Sequence, residues 1–302
     1  MTRRLLAVHA HPDDESSKGA ATYAAYASSG ARVVIVSCTG GELGDVQNEA
    51  LEPRAMAERD MAGLRRLEMA NAQHVMGIEH RWLGYRDSGL PEGTGTEEGP
   101  TEPIPANSFA LVPLEISAEP LVRIIRELRP QVLVTYDETG GYPHPDHIRT
   151  HEISMYAWEA AADPSRYPEQ GAAWRIPKVY YDRIFNVNRI TKMYEVMEAS
   201  GHPDLAEMDE LRNRMGERPP LATTHIPVGD FLDVRDDALR SHASQVAPDS
   251  RFFFWPNELQ REAWPFEDFQ LVKSSVDSTL PEGDFFAGID TDDEGDAPCS
   301  IR

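Results

Sequence analysis

The sequence predicts an α/β fold: a Rossmann-like, mostly parallel sheet flanked by helices, with a smaller irregular C-terminal part. Three observations carry this. The chain opens β-α-β, the unit that builds parallel sheets through right-handed crossovers. Short β-branched runs then alternate with stretches of helical spacing. Two polar loops rich in histidine and aspartate each leave the end of an apolar run, where open α/β sheets place ligands.

Residues 4–8 read as a buried strand, 20–28 as a helix ended near Gly30, and 32–37, "RVVIVS", as a second strand closed by Thr39-Gly40-Gly41. One long helix is expected from Pro53 to about Met76, then a strand at 79–85, "EHRWLGY". Residues 91–113 are rich in Gly, Pro, Thr and Glu and mark a long loop, of the kind that serves as a functional lid or is disordered. Helical spacing resumes over 116–128, "QVLVTY" at 131–136 is a strand, and 148–161 is helical. Beyond it come a strand at 178–185, mostly helix over 189–215 and a short helix at 234–244. The aromatic stretch 251–272, "RFFFWPNELQREAWPFEDFQLV", either covers a cleft or fills a core under the second half. From Asp277 onward there are eight acids and one arginine without an apolar period, which reads as a mobile tail. The expected organisation is a catalytic core over 1–175, a part completing the active-site cleft over 176–274, and an acidic tail over 275–302.

The composition fits a globular chain of 302 residues with 40% hydrophobic and 26% charged residues. A formal charge of −22 argues against a nucleic-acid partner, which needs a basic footprint, and against anionic membrane surfaces. Cys38 and Cys299 lie far apart and imply no disulfide framework. About four apolar residues precede His9, too few for a signal peptide, and nothing later approaches the ~18 of a membrane helix, so a cytoplasmic location is expected. No Gly-x-Gly-x-x-Gly follows the first strand, against a dinucleotide site.

The two polar loops match. "HPDD" at 11–14 and "HPDH" at 144–147 each follow a strand, and the sheet can bring them together although ~130 residues separate them. A lone His-Pro-Asp is commonly a turn or an N-cap; two of them, with His or acid at each polar position, point to a metal site. His11, Asp14 and His147 supply three ligands of the nitrogen and oxygen type that zinc takes in catalytic sites, with iron(II) as another occupant. A bound metal lowers the pKa of its water toward ~7, Asp13 can take that proton, and a protonated His144 can stabilise an oxyanion or protonate a leaving amine. Asp146 can orient a neighbouring histidine, and Tyr142 can offer its phenol to an oxyanion.

Five ordered stretches, "AHPDDE" at 10–15, "RRLEMANA" at 65–72, "LGYRDSG" at 83–89, "YDETGGYPHPDH" at 136–147 and "LRSHASQV" at 239–246, resemble the LmbE-like metal-dependent deacetylases. That family includes the N-acetylglucosaminyl-phosphatidylinositol deacetylases and two mycothiol enzymes. The resemblance implies the same zinc ligands, Asp13 as general base, and His144 and Tyr142 at the oxyanion. It further implies that Arg65 and Asp87 hold sugar or inositol hydroxyls with Asp45 nearby, and that His242 and Gln245 line the site. The activity implied is hydrolysis of the amide of a mycothiol S-conjugate, a small pseudo-disaccharide thiol derivative, to glucosaminyl-inositol and a mercapturic acid, as in detoxification. The alternative is deacetylation of N-acetylglucosaminyl-inositol, and Lys18 is the residue that, within the family, favours the first.

Overall fold

In the computed structural model, which describes residues 2–52, 54–216, 218–251 and 253–290, one seven-stranded sheet organises the chain. Its strands are β1 (Arg4–His9), β2 (Arg32–Thr39), β3 (Glu79–Tyr85), β4 (Val132–Thr135), β5 (Lys178–Asp182), β6 (Thr224–Pro227) and β7 (Phe266–Ser274), in the order β3-β2-β1-β4-β5-β7-β6. The first five are parallel, and β7 runs antiparallel to both β5 and β6. The expected Rossmann-like class holds.

Two-residue periodicity explains the two cores. Along β1, Leu5 and Ala7 point to one face and join Val33 and Ile35 of β2, whereas Leu6 and Val8 point to the other with Val34 and Val36. Both faces are covered, so the central strands read as continuous apolar runs. Helices α2 (Ala20–Ser28), α4 (Met61–Met76) and α9 (Leu232–Ser241) lie on the first face, and α5 (Leu114–Leu128) and α6 (Pro145–Ala162) on the second. A third, satellite cluster holds the hairpin of α7 (Val187–Ser200) and α8 (Leu205–Met215) to α10 (Asn257–Ala263).

Several boundaries differ from the sequence reading. The long helix expected over 53–76 is two, α3 (Arg54–Arg59) and α4, because the Asp60 carboxylate accepts the Gly63 N–H at 2.8 Å and starts a new helix; Pro53 lies outside the described residues. The helical stretch 189–215 breaks at Gly201, a left-handed C-cap with φ 64°. Strand β6 went unread because its four residues, T-H-I-P, carry no alternation long enough to register.

The largest correction concerns the tail. Phe285 and Phe286 are buried in the first core, stacked and edge-on around Tyr26, and Glu282 reaches 2.7 Å to the buried Lys178 ammonium and 2.6 Å to the Tyr180 hydroxyl. Residues 275–290 therefore belong to the fold rather than to a mobile segment. Their acids misled because the charge run was read without the two phenylalanines inside it. Residues 291–302, including Cys299, lie outside the described residues; Cys38 is buried with a free thiol. Among the described residues no helix is long and apolar enough to cross a membrane.

Candidate metal and catalytic site

The strand order reverses at β1: β2 and β3 lie to one side, β4 and β5 to the other. At such a switch point the loops after the two central strands splay apart and leave a crevice. Those loops are the two His-Pro-Asp segments. Each ends in a helix, so that Asp14 opens the four-residue α1 (Asp14–Ser17) and His147 stands in the first turn of α6, whose N-cap is His144. The sequence reading began that helix at residue 148; Pro145 at the first helical position starts it three residues earlier.

One donor atom from each of His11, Asp14 and His147 lies within 4.8 Å of the others. The Asp14 Oδ2 atom is 3.5 Å from His11 Nδ1 and 3.4 Å from His147 Nε2. His147 Nδ1 is 3.0 Å from the Gly140 carbonyl, which fixes its proton there and leaves Nε2 as an acceptor; this Nε2 is buried and has no hydrogen-bond partner. His11 Nε2 is likewise engaged, 3.3 Å from Asp146 Oδ2 and 3.6 Å from Asp87 Oδ1, which turns Nδ1 toward the other two ligands. Burial alone would depress the His11 imidazole, yet Asp14, Asp146 and Asp87 together hold it well above its ordinary value: the pocket demands positive charge. An unpartnered buried nitrogen, two oriented imidazoles and a carboxylate fit a divalent cation. A second grouping, His11, Asp87 and His144, is equally compact. There Asp87 already accepts the N–H groups of Leu43 at 3.0 Å and Gly89 at 2.8 Å, so the first set is the one with a vacant donor.

Asp13 stands beside these ligands with φ 106°, in the left-handed region that aspartate rarely adopts. Its N–H donates to Glu15 Oε2 at 2.9 Å and its Oδ2 accepts from Arg65 Nη2 at 3.0 Å. The side chain keeps 27% of its surface, so the carboxylate still reaches the crevice. Burial pushes its pKa up, opposed by the Arg65 guanidinium. Glu15 is held in turn by His242, whose Nε2 lies 2.7 Å from Oε1, with neither side chain exposed.

Sequence-predicted residues meet different fates. His11, Asp13, Asp14, Tyr142, His144, Asp146, His147, Lys18 and Asp87 converge on the switch point. Lys18 Nζ lies 2.5 Å from Asp14 Oδ1, on the side away from the histidines. Tyr142 is exposed, with its ring centroid 4.5 Å from that of His147; burial of its phenol by neighbours keeps the hydroxyl protonated. His144 Nδ1 accepts the Asp146 N–H at 3.1 Å, and burial, followed by His11 and His147, lowers its pKa to about 2. With Nδ1 accepting, the neutral imidazole carries its proton on Nε2, which suits the oxyanion role expected of His144.

Asp146 is fully buried and accepts from the Ser88 N–H at 2.9 Å and the Ser88 hydroxyl as well as from His11. It orients a ligand, as expected of it, and faces no open crevice. Arg65 is 3% exposed and spends its guanidinium on the Gly41 and Pro12 carbonyls and on Asp13. That geometry ties three segments together through the two Nη groups, while the buried Nε has no hydrogen-bond partner. His242 sits behind Glu15 rather than lining the crevice. Asp45 is exposed on the outer rim, where its carbonyl accepts from Gln245 Nε2 at 3.1 Å.

Two residues went unread. Glu15 stood inside the quoted motif but was given no role. Asp182 ends β5 at the same edge of the sheet; burial pushes its pKa to about 7 and its Oδ2 has no hydrogen-bond partner. Its position at the carboxyl end of a parallel strand was the available signal.

Fold and site together define the class: a metal-site amidase or deacetylase on a Rossmann-like sheet. The chain belongs to the PIG-L family, GlcNAc-PI de-N-acetylase, whose pattern matches residues 6–158. It is 48% identical over 290 residues to the mycothiol S-conjugate amidase of Streptomyces coelicolor, covering 95% of this chain and 97% of that one. It is 39% identical over 298 residues, 95% of this chain and 90% of the other, to 1D-myo-inositol 2-acetamido-2-deoxy-alpha-D-glucopyranoside deacetylase 1 of Catenulispora acidiphila. Among solved structures, N,N'-diacetylchitobiose deacetylase from Pyrococcus horikoshii shares the fold with a TM-score of 0.60 at 17% identity, over 90% of this chain and 84% of that one.

Proposed function

We propose that the protein is a zinc-dependent amidase that hydrolyses mycothiol S-conjugates to glucosaminyl-inositol and a mercapturic acid. The observation that carries this reading is the end-to-end 48% identity to the Streptomyces coelicolor amidase, against 39% for the inositol-sugar deacetylase. His11, Asp14 and His147 would hold the metal, which when bound supplies Lewis-acid activation of water and of the amide carbonyl. Asp13 removes a proton from the attacking water, and its raised pKa suits a base that must later give that proton up. The Tyr142 hydroxyl and the His144 Nε2–H donate to the oxygen of the tetrahedral intermediate. Asp13 then returns the proton to the amine nitrogen as the C–N bond breaks, so that the amide and one water end as a carboxylic acid and an amine, which leave as carboxylate and ammonium after proton exchange. Asp87 and Asp45 face the side where the loops after β2 and β3 would receive the polyol.

The deacetylase reading rests on relatives that match over the same 95% of the chain. Product analysis decides between them. With a fluorescent S-conjugate and the N-acetyl sugar offered separately, turnover should favour the conjugate and stop with chelator; a strong preference for acetate release overturns the amidase assignment. Asp13→Ala should lose on the order of 10²–10⁴ in kcat while retaining the metal.

A further inference from the structure

A cavity of about 370 Å³ opens at Ser17 and Lys18, immediately beyond the ligand Asp14, and runs under the α7–α8 hairpin. We infer that this cavity is the subsite for the apolar group carried on the substrate's sulfur, an inference that rests on the amidase reading above. Its lining combines apolar side chains, Met193, Met208, Leu211, Phe253 and Trp255 among them, with charged ones that include Arg189, Glu207, Arg235 and Asp268. Met193 and Met208 are almost wholly buried and belong to the satellite cluster, yet one side of each faces a void rather than a packed neighbour. A void of this size lies within the range of small-ligand sites, which are lined mainly by hydrocarbon and aromatic side chains.

The topology says which half of the substrate belongs there. The loops after β2 and β3, with Asp45 and Asp87, lie to one side of the switch point. The α7–α8 hairpin follows β5 and lies to the other. An amide held between them directs its nitrogen substituent one way and its acyl substituent the other. The exposed Asp45 carboxylate stands on the first side, where polyol hydroxyls can donate to it; that directs the acyl side, bearing the thioether, toward the cavity, whose methionine, leucine and tryptophan side chains suit an apolar group. Methionine side chains adapt to irregular shapes, so the subsite accepts a range of aromatic and aliphatic groups. An acetyl group is too small to fill it.

Leu211 is the residue to vary, being only half-buried and able to change size with little disturbance to the core. The full chain, loaded with metal, is assayed with S-benzyl and S-methyl conjugates of the same thiol. Leu211→Trp should lower the S-benzyl to S-methyl ratio of kcat/KM by on the order of tenfold, and Leu211→Ala should shift the ratio toward substituents larger than benzyl. Variants that move both conjugates by the same factor, as general destabilisation would, overturn the subsite. A wild-type protein that leaves both conjugates uncut overturns the amidase reading and the subsite with it. Cleavage of S-methyl with an unmoved ratio overturns the subsite alone.

Discussion

Replacing His242 with leucine tests whether the buried Glu15–His242 pair is the foundation under Asp13. Both side chains are fully buried with 2.7 Å between Nε2 and Oε1. Burial by itself would raise the Glu15 carboxyl; His242, helped by the Ser16 hydroxyl, outweighs it and takes the value from 4.5 down to about 2. At ~1.36 kcal/mol per tenfold that displacement stands for about 3 kcal/mol, in line with the ~3–5 kcal/mol seen when one partner of a buried pair is removed. Because the Glu15 pKa is depressed on folding, its share of stability is present above 4.5 and lost as pH falls toward about 2. His242 has the opposite sign: burial lowers its pKa, Glu15 raises it further than that, and its share is lost as pH climbs through a value above 6.5. The pair is therefore at full strength between these limits. Urea unfolding at about pH 6 should show His242→Leu less stable by about 3 kcal/mol, and at about pH 3 the gap should fall to less than half, because the unfolded carboxyl is by then protonated while the folded one is still largely ionised. Activity should fall with it, since Glu15 holds the Asp13 N–H. A deficit below about 0.5 kcal/mol at pH 6, or one that does not narrow at pH 3, refutes the reasoning.

Glu282→Gln should cost about 3–5 kcal/mol, because it leaves the fully buried Lys178 ammonium without its counter-charge; a thermal melt within a degree of wild type would show that residues 275–290 are not anchored as described. Asp146→Asn should weaken metal affinity on the order of 10–100-fold by loosening His11, measured by competition with a chromogenic chelator, and unchanged affinity would remove Asp146 from that role.

Much of this architecture was legible because the sheet announces itself. The central parallel strands are short buried runs, β-branched in β2 and β4, and the first three strands fall within two residues of where the sequence reading puts them. The metal ligands were legible for a different reason: two similar polar loops, each following such a run, make sense only if the sheet brings their ends together. What could not be read was anything decided by a single side chain acting on a distant backbone. Asp60 cuts one helix into two, and Phe285 converts an acidic stretch into part of the core. The anchoring of Arg65 was hidden too, because its partners, the Pro12 and Gly41 carbonyls, are backbone atoms whose position no pattern of side chains reveals.

The same contacts explain how an aspartate is kept in a conformation that suits glycine. Asp13, at φ 106° and ψ −28°, carries a Cβ in a region where L-residues clash with their own backbone. Its strain is of the order of ~1–3 kcal/mol and persists only where surrounding groups over-determine it. Here Glu15 binds the N–H, and Arg65 binds the preceding carbonyl and the carboxylate itself. Arg65 can do so because Gly41, at φ 64°, has no Cβ to occupy the space that the guanidinium Nη1 fills. The base is thus aimed at the crevice at the expense of stability. Comparing Asp13→Gly with Asp13→Ala isolates that cost, for both lose the carboxylate and its pairing with Arg65 and differ only in the Cβ. Glycine should be the more stable variant by about 1–2 kcal/mol, although elsewhere it is the less stable choice by ~0.5–1 kcal/mol, and both should be inactive. Equal stability, or an advantage for alanine, would mean that position 13 carries no backbone strain and that Arg65 and Glu15 are not restraining it.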